Sequence, residues 1–582
     1  MSIPVLSPTA RHDALQEMAS GPELDVLVIG GGVTGAGIAV DAATRGLRVG
    51  IVEAQDWASG TSSRSSKLVH GGLRYLYQLD FKLVNESLRE RGLLLTQNAP
   101  HLVKAQPFLW PLKIPVIERT YSAIGVGMYD VLAQFAHRGS VPIQKHYSKK
   151  GSLKLAPAIK PDALTGSIVY YDARVDDARL VVTLVRTAVR YGALAANRVQ
   201  VQELDQDSSG RVRGAHVVDL ETGEDLHIKA RSVINATGVW TEKTQSLAHT
   251  GGGLRVLASK GIHIVVPKDA IKSKVGIFLR TEKSVLFIIP WKRYWIIGTT
   301  DTAYHEDRLE PVADREDIDY LLEHANSVLA TPLTRDDIIG TYAGLRPLLQ
   351  PGTLDNDETK STKVSREHTV TEAAPGLTVI AGGKLTSYRQ MAQDAVDFAL
   401  GSGAKNKPCV TEKTPLEGAN GYFAMWESRK KLAQESGLSV DHVEDLLDRY
   451  GADIELVLSM IKEDPSLGDE LPGAPEYLRA EIAFGIAYEG ALHIEDLLTR
   501  RTRIHYEHKD RGVESLDAVA QIAAAMLDWD EETTAREKAS YQARCDSERE
   551  AEGIWDEKQA QAVREQVEPI RPFKDVAPDV QG

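Results

Sequence analysis

The sequence predicts an α/β fold in three parts: an opening β-α-β unit, an antiparallel sheet interleaved with it, and an all-α domain at the C-terminal end. Three observations predict it. The apolar run Asp25–Ile29 ends in three consecutive glycines and is followed by an Ala-rich helical stretch and a second apolar run. The middle of the chain alternates Ile/Val/Phe-rich strands with helical periods. Beyond residue 408 only helical patterning remains. Residues 1–23 read as a polar leader with a short helix near Arg11–Met18, 24–400 as the two interleaved parts, 401–408 as a small polar linker, 409–547 as the helical domain and 548–582 as a charged tail.

The first unit reads as strand Asp25–Ile29, helix Val33–Arg45 and strand Leu47–Val52, which ends at Glu53. Strands follow at Gly166–Tyr171, Arg211–Asp219 and Asp225–Ile234. The helix Asp177–Tyr191 carries Leu180, Leu184 and Val185 at helical spacing. Gly261–Pro267, Ser284–Pro290 and Tyr294–Gly298 read as antiparallel strands, then Leu377–Ile380 as a buried strand with the helix Leu385–Leu400 behind it. Helices are expected at Trp426–Glu435, His442–Tyr450, Asp453–Ile461, Leu478–Glu489, Ile494–Thr499 and Leu516–Leu527.

Composition bounds the function. At roughly 100–200 residues per domain, 582 residues make three to five units. Hydrophobic residues at 42% and charged residues at 26% are those of a globular chain with a large core. The 68 basic and 82 acidic residues leave a net charge of −14, which argues against a nucleic-acid binder. Cys409 and Cys545 make neither a disulfide framework nor a zinc pair, so a reducing compartment is expected and no metal. No signal peptide, membrane span, internal repeat or EF-hand loop is read from the sequence.

Four segments carry chemistry. In Gly30-x-Gly32-x-x-Gly35 the first glycine permits a tight turn, the second lets backbone approach a pyrophosphate, and the third lets helix pack on sheet. The helix N-terminus then faces the phosphate charge. Glu53, 18 residues on from Gly35, ends the next strand where a carboxylate takes the ribose hydroxyls. A lone fingerprint is weak; with strand, helix and acid in place it predicts a bound dinucleotide. The strand-to-turn step Ala236-Thr237-Gly238 favours FAD over NAD. Gly382-Gly383-Lys384-Leu385-Thr386, again strand, glycines and helix, points backbone N–H groups at a site suited to a reduced flavin ring. The hydroxyl- and glycine-rich stretch Gly60–Tyr75 reads as a loop wrapping the cofactor, with Ser62, Ser63 and Ser66 as hydrogen-bonding groups and Lys67, Leu68 and His70 beside them.

Together these segments, with SSKLVHGGLRYL, INATGVW, GIHIVVP, IIGTTD, GLRPL and GGKLTSYR in order, resemble the FAD-dependent (aerobic, bacterial) glycerol-3-phosphate dehydrogenase family. The resemblance runs from about residue 24 to 400 and continues through Arg449-Tyr450-Gly451 and Leu498–Thr502. The calcium-binding EF-hands of mitochondrial relatives are missing. The resemblance implies a Rossmann-like FAD domain of the glutathione reductase/D-amino acid oxidase type. It implies oxidation of sn-glycerol 3-phosphate to dihydroxyacetone phosphate by hydride transfer to FAD, with a membrane quinone as acceptor, or oxygen in the oxidase branch. Arg74, Arg346 and Lys384 become the substrate-pocket cations, Tyr75 and Thr300 added hydroxyls, and His263, with Arg346, the catalytic pair. A strand histidine is otherwise more often a satisfied core residue. The segment Lys113–His146, apolar with Lys113, Arg119, Arg138 and Lys145 around it, reads as an interfacial membrane element or as a core helix with a solvated rim, and the resemblance favours membrane attachment. A peripheral protein on the cytoplasmic face of the cell membrane is expected, compatible with a homodimer.

Overall fold

The computed structural model describes residues 3–72, 81–113, 141–248, 253–280, 285–350 and 368–574. Its first sheet is built on the strand Leu24–Ile29, which runs parallel to Val49–Val52 on one side and to Asp225–Asn235 on the other. Leu377–Gly382 extends this parallel set beyond Asp225–Asn235, and Leu194–Ala196 extends it beyond Val49–Val52. His368–Ala374 closes the first edge in antiparallel sense. Such strands are covered on both faces, which is why they read as unbroken apolar runs. The carboxyl ends Ile29, Val52 and Asn235 lie level, since Ile29 is registered with both of the others. That edge is where a doubly wound sheet binds its ligand.

The helix Val33–Thr44 is rich in Ala and Gly because it is packed nearly all round. A Cβ on Gly37 would lie 2.8 Å from the Tyr388 ring of the helix Tyr388–Leu400. On its other flank stands the helix Asp177–Arg190.

The second sheet is largely antiparallel. Its order is Thr302–Tyr304, Val256–Pro267, Tyr294–Gly298, Val285–Pro290, Gly276–Arg280, Val103–Leu112, Gly166–Val175 and Leu68–Val69. Gly340–Leu349 also pairs with Val256–Pro267, setting Arg346 opposite Ser259 and Tyr342 opposite His263. Gly276–Arg280 and Val103–Leu112 touch in parallel. The expected strand Gly261–Pro267 starts earlier, at Val256. Its first half contains Lys260, whose buried ammonium is taken by Asp314 at 2.8 Å and Asp317 at 2.7 Å, so a charged residue sits where the pattern would place an apolar one. Val103–Leu112 escapes the sequence pattern because Pro107 and Pro111 lie inside it.

The C-terminal part is helical apart from the hairpin Glu470–Leu471 and Ala474–Leu478. The stretch expected as one helix over Trp426–Glu435 is two, Tyr422–Glu427 and Arg429–Ser436. Helix Glu531–Ala551 runs past residue 547, and Glu557–Glu565 packs Ala560 against Val312. This part is joined to the first sheet by buried ion pairs. Arg501 makes two 2.7 Å bonds to Asp56, Arg179 makes two 2.6 Å bonds to Glu489, and Arg198 reaches Asp496 at 2.8 Å. Removing one partner of such a pair leaves a buried charge and costs about 3–5 kcal/mol. Among the described residues no helix is long and apolar enough to cross a membrane. Within the Lys113–His146 element, residues 114–140, which carry most of its apolar side chains, lie outside the described residues.

His493 bridges the same junction, 2.8 Å from both Glu221 and Glu537. Burial and Arg198 oppose its charged form, but the two carboxylates prevail and hold its pKa at about 9. A histidine raised above 6.5 in the fold stabilises fully below that pH and loses the contribution as pH rises through about 9, on the order of 3 kcal/mol here. The unfolding midpoint should therefore fall between pH 6.5 and 9. His493→Gln should start lower at pH 6.5 and show a flatter profile across that window; parallel profiles would refute the assignment.

Candidate active site

A cavity of about 440 Å³ opens at the carboxyl edge of the first sheet and runs to the second. Its floor is the turn after Leu24–Ile29. Gly30 has φ +113°, which an L side chain rarely adopts, and a Cβ there would meet the Ala236 carbonyl at 2.7 Å. A Cβ on Gly35 would lie 1.9 Å from the Gly30 carbonyl, so this glycine sits beneath the turn and lets the helix close on it. Gly32 differs: its backbone is extended, and a Cβ would meet only Ser62 Oγ, at 3.2 Å. The space above Gly32 belongs to the cavity. Ser62 Oγ accepts from Val33 N at 2.9 Å and so ties the loop to the helix N-terminus.

Glu53 stands at one end of the cavity. Its carboxylate accepts from Gly31 N at 2.6 Å and Gln55 N at 2.7 Å. Burial raises its pKa, opposed by those two N–H bonds. Each oxygen keeps lone-pair capacity for a sugar hydroxyl. Asn235 accepts from Thr237 N at 3.2 Å and Thr237 Oγ1 at 2.7 Å, fixing the Ala236-Thr237-Gly238 turn on the wall. Further along, Gly382 and Gly383 have φ of +80° and +81°. This paired left-handed turn presents Lys384, Leu385 and Thr386 to the cavity ahead of helix Tyr388–Leu400.

The loop from Gly60 runs between the two sheets. Ser66 Oγ lies 2.9 Å from His263 Nε2, and His70 N donates to Thr386 Oγ1 at 3.1 Å. Ser62, Ser66, Leu68 and His70 reach the wall. Ser63 and Lys67 stand behind it: Lys67 Nζ is buried, donating to the Ser63 carbonyl at 2.9 Å and to Asp177 Oδ1 at 2.5 Å. Burial, and then the charge of Arg503, pull the Lys67 pKa down to about 8 against Asp177.

At the far end stand His263 and Arg346. The His263 ring stacks on Tyr342 with centroids 4.7 Å apart, and a Cβ on Gly298 would sit 2.2 Å from it. Burial foremost, then the charges of Arg346 and Lys67, hold its pKa well below 6.5, so the imidazole is neutral at pH 7. A neutral ring can accept a proton. Arg346 Nη2 donates to Thr299 Oγ1 at 2.9 Å and the Thr300 carbonyl at 3.1 Å, and Nη1 to Asp301 at 3.2 Å. Gly261 leaves the guanidinium room, since a Cβ there would fall 2.3 Å from Nη2. The Thr300 hydroxyl points away from the cavity and accepts from Ile262 N at 3.0 Å; Thr299 and Asp301 hold the wall instead. Alternation along an extended segment puts 299 and 301 on the face opposite 300, a signal available in the sequence. Asp172 is a further wall residue without a sequence assignment, accepting from Arg91 at 2.7 Å and Gly71 N at 3.2 Å. Arg74 and Tyr75 lie outside the described residues.

A glycine cradle, a strand-end acid and a second glycine turn along one cavity define an FAD-dependent oxidoreductase. The family model described as FAD dependent oxidoreductase matches residues 25–389, and that described as the C-terminal domain of alpha-glycerophosphate oxidase matches 409–534. Glycerol-3-phosphate dehydrogenase 2 of Mycobacterium tuberculosis is 50% identical over 93% of this chain and 91% of its own length. The aerobic glycerol-3-phosphate dehydrogenase of Staphylococcus aureus is 34% identical over 90% of this chain and 94% of its own. The crystal structure of glycerol-3-phosphate dehydrogenase from Bacillus halodurans complexed with FAD superposes with a TM-score of 0.76 at 30% identity, covering 93% of this chain and 98% of that one. The chain belongs to the FAD-dependent glycerol-3-phosphate dehydrogenase family, and its cofactor is FAD.

Because a Cβ at Gly32 would meet only the Ser62 hydroxyl, which need shift by no more than a few tenths of an ångström, Gly32→Val should fold and yet lose FAD. Flavin affinity should drop at least about tenfold, the equivalent of about 1.4 kcal/mol, with an unchanged circular dichroism spectrum. Full retention of FAD would mean that the pyrophosphate does not pass Gly32.

Proposed function

We propose that the protein oxidises sn-glycerol 3-phosphate to dihydroxyacetone phosphate and passes the electrons to a membrane quinone, serving glycerol catabolism from the inner face of the membrane. The observation that carries the reading is the meeting of a neutral buried imidazole, His263, with the guanidinium of Arg346 on the wall of the cavity that Lys384 also lines. The names of the relatives above supply the substrate class. Bound FAD would supply the acceptor for the hydride that leaves C2 of the substrate.

The chain's residues do the rest. His263 accepts the proton of the C2 hydroxyl, and Ser66 Oγ, 2.9 Å from Nε2, is a hydroxyl that can donate to that nitrogen or accept from it. Arg346 stabilises developing negative charge on that oxygen. Lys384, with Arg74, holds the phosphate as cationic partners of a dianion. The helix behind Lys384 places positive dipole toward the reacting end. Asp301 and Thr299 hold the guanidinium in place through charge-assisted bonds.

His263→Ala and His263→Gln should retain FAD and slow substrate-driven flavin reduction by about 10²–10⁴-fold, the usual contribution of a general base. Near-normal reduction in both would make His263 structural and leave Arg346, or a water it holds, as proton acceptor. For the acceptor, turnover should be fast with a quinone analogue or dye and slow with oxygen, and should rise when membranes are added. Oxygen consumption with stoichiometric hydrogen peroxide at the quinone rate would make the enzyme an oxidase.

A further inference from the structure

The end of the cavity at Glu53 is lined by Ala54, Gln55, Val199, Gln200 and Val201. Because the strand-end acid takes the adenosine ribose, this is the adenosine end. One more residue lines it: Phe573, from the far end of the chain. No local pattern places it there, since residues beyond 547 are charged and sparsely apolar.

The strap that brings Phe573 to this place is held at three points. The Gln200 side-chain amide grips the backbone of Lys574 twice, accepting from its N–H at 3.0 Å and donating to its carbonyl at 3.0 Å. Arg571 Nε donates to Glu221 at 2.9 Å, the carboxylate that also meets His493. Lys574 Nζ donates to the Gly223 carbonyl at 3.0 Å. Upstream, the helix Glu557–Glu565 is seated near Glu310 through Gln561 Nε2 at 3.3 Å. The chain therefore crosses from the second sheet to the first and is fastened on the strand Val199–Gln206. Gln200 is 7% exposed, so its amide is fixed, whereas Phe573 remains 37% exposed with its ring beside the cavity.

We propose that Phe573, held by Gln200 and Arg571, forms an adenine subsite for FAD: the C-terminal strap covers the adenosine half of the cofactor and slows its release. An aromatic ring over a purine stacks with useful strength in water, and backbone pinning removes much of the ordering penalty. The strap is not part of the chemistry. It is fastened on the strand Val199–Gln206 of the first sheet, whereas His263 belongs to Val256–Pro267 of the second, so it governs retention and not hydride transfer.

The test compares FAD with FMN, which has the same ring system and no adenosine. Apoprotein is reconstituted with each, and affinity and release are followed by flavin fluorescence. Phe573→Ala should weaken FAD about tenfold or more, within the range of base–aromatic stacking, and leave FMN unchanged. Phe573→Trp should restore FAD affinity. A chain ending at Pro569 should behave like Phe573→Ala, and Gln200→Ala should fall between. Unaltered FAD release in both Phe573→Ala and the shortened chain would overturn the proposal. Equal weakening of FAD and FMN would also overturn it, because the strap would then support the fold and not the adenine.

Discussion

The buried carboxylate of Asp177 is the constraint on which the site depends. It opens the helix Asp177–Arg190 and accepts from Ser65 N at 3.0 Å, Ser65 Oγ at 2.7 Å and Lys67 Nζ at 2.5 Å. Those bonds fix a loop rich in hydroxyls and glycines whose regular structure is only one 3-10 turn, Thr61–Ser63, and the two-residue strand Leu68–Val69. Once it is fixed, Ser62 reaches the helix N-terminus of the dinucleotide cradle, Ser66 reaches His263, and His70 reaches Thr386. Tyr342 adds a bond from its hydroxyl to the Ser65 carbonyl while its ring backs His263. One side chain thus sets the cofactor end and the reacting end in common register.

The helical domain completes this arrangement electrostatically. Arg503 stands 3.3 Å from Asp176 and 3.8 Å from Asp177, while Arg500 and Arg501 converge on Asp56. A buried pair of this kind gains little over an apolar contact, but losing one member is severe. Its use here is geometric: it holds the Asp56 turn and the start of the Asp177 helix against one surface. Burial foremost, then the charges of Arg346 and Lys67, keep the His263 imidazole neutral in a chain of net charge −14.

Much of this was legible in the sequence, and the reasons are specific. Gly30, Gly32 and Gly35 each do a different steric job at fixed spacing, and each lies where that spacing puts it. The strand–turn elements at Ala236–Gly238 and Gly382–Thr386 were readable because parallel buried strands are unbroken apolar runs. What stayed hidden were long-range pairings. Lys67 looks like a cofactor contact in its loop, yet Asp177, 110 residues away in sequence, draws its ammonium behind the wall. The resemblance points to Thr300, but the two-residue alternation of an extended segment puts Thr299 and Asp301 on the cavity wall. Phe573 carries no local signal at all; only the fold brings the chain end to Gln200.

On the function proposed above, one loop sets FAD and a phosphorylated secondary alcohol in a single cavity beside His263 and Arg346. Anaerobic rapid mixing of the FAD-loaded protein with sn-glycerol 3-phosphate measures this. The oxidised-flavin absorbance should be lost in one phase, with one dihydroxyacetone phosphate formed per FAD, and no comparable loss should follow with unphosphorylated glycerol. Persistence of the oxidised spectrum with saturating glycerol 3-phosphate, or equal bleaching by glycerol, would contradict it.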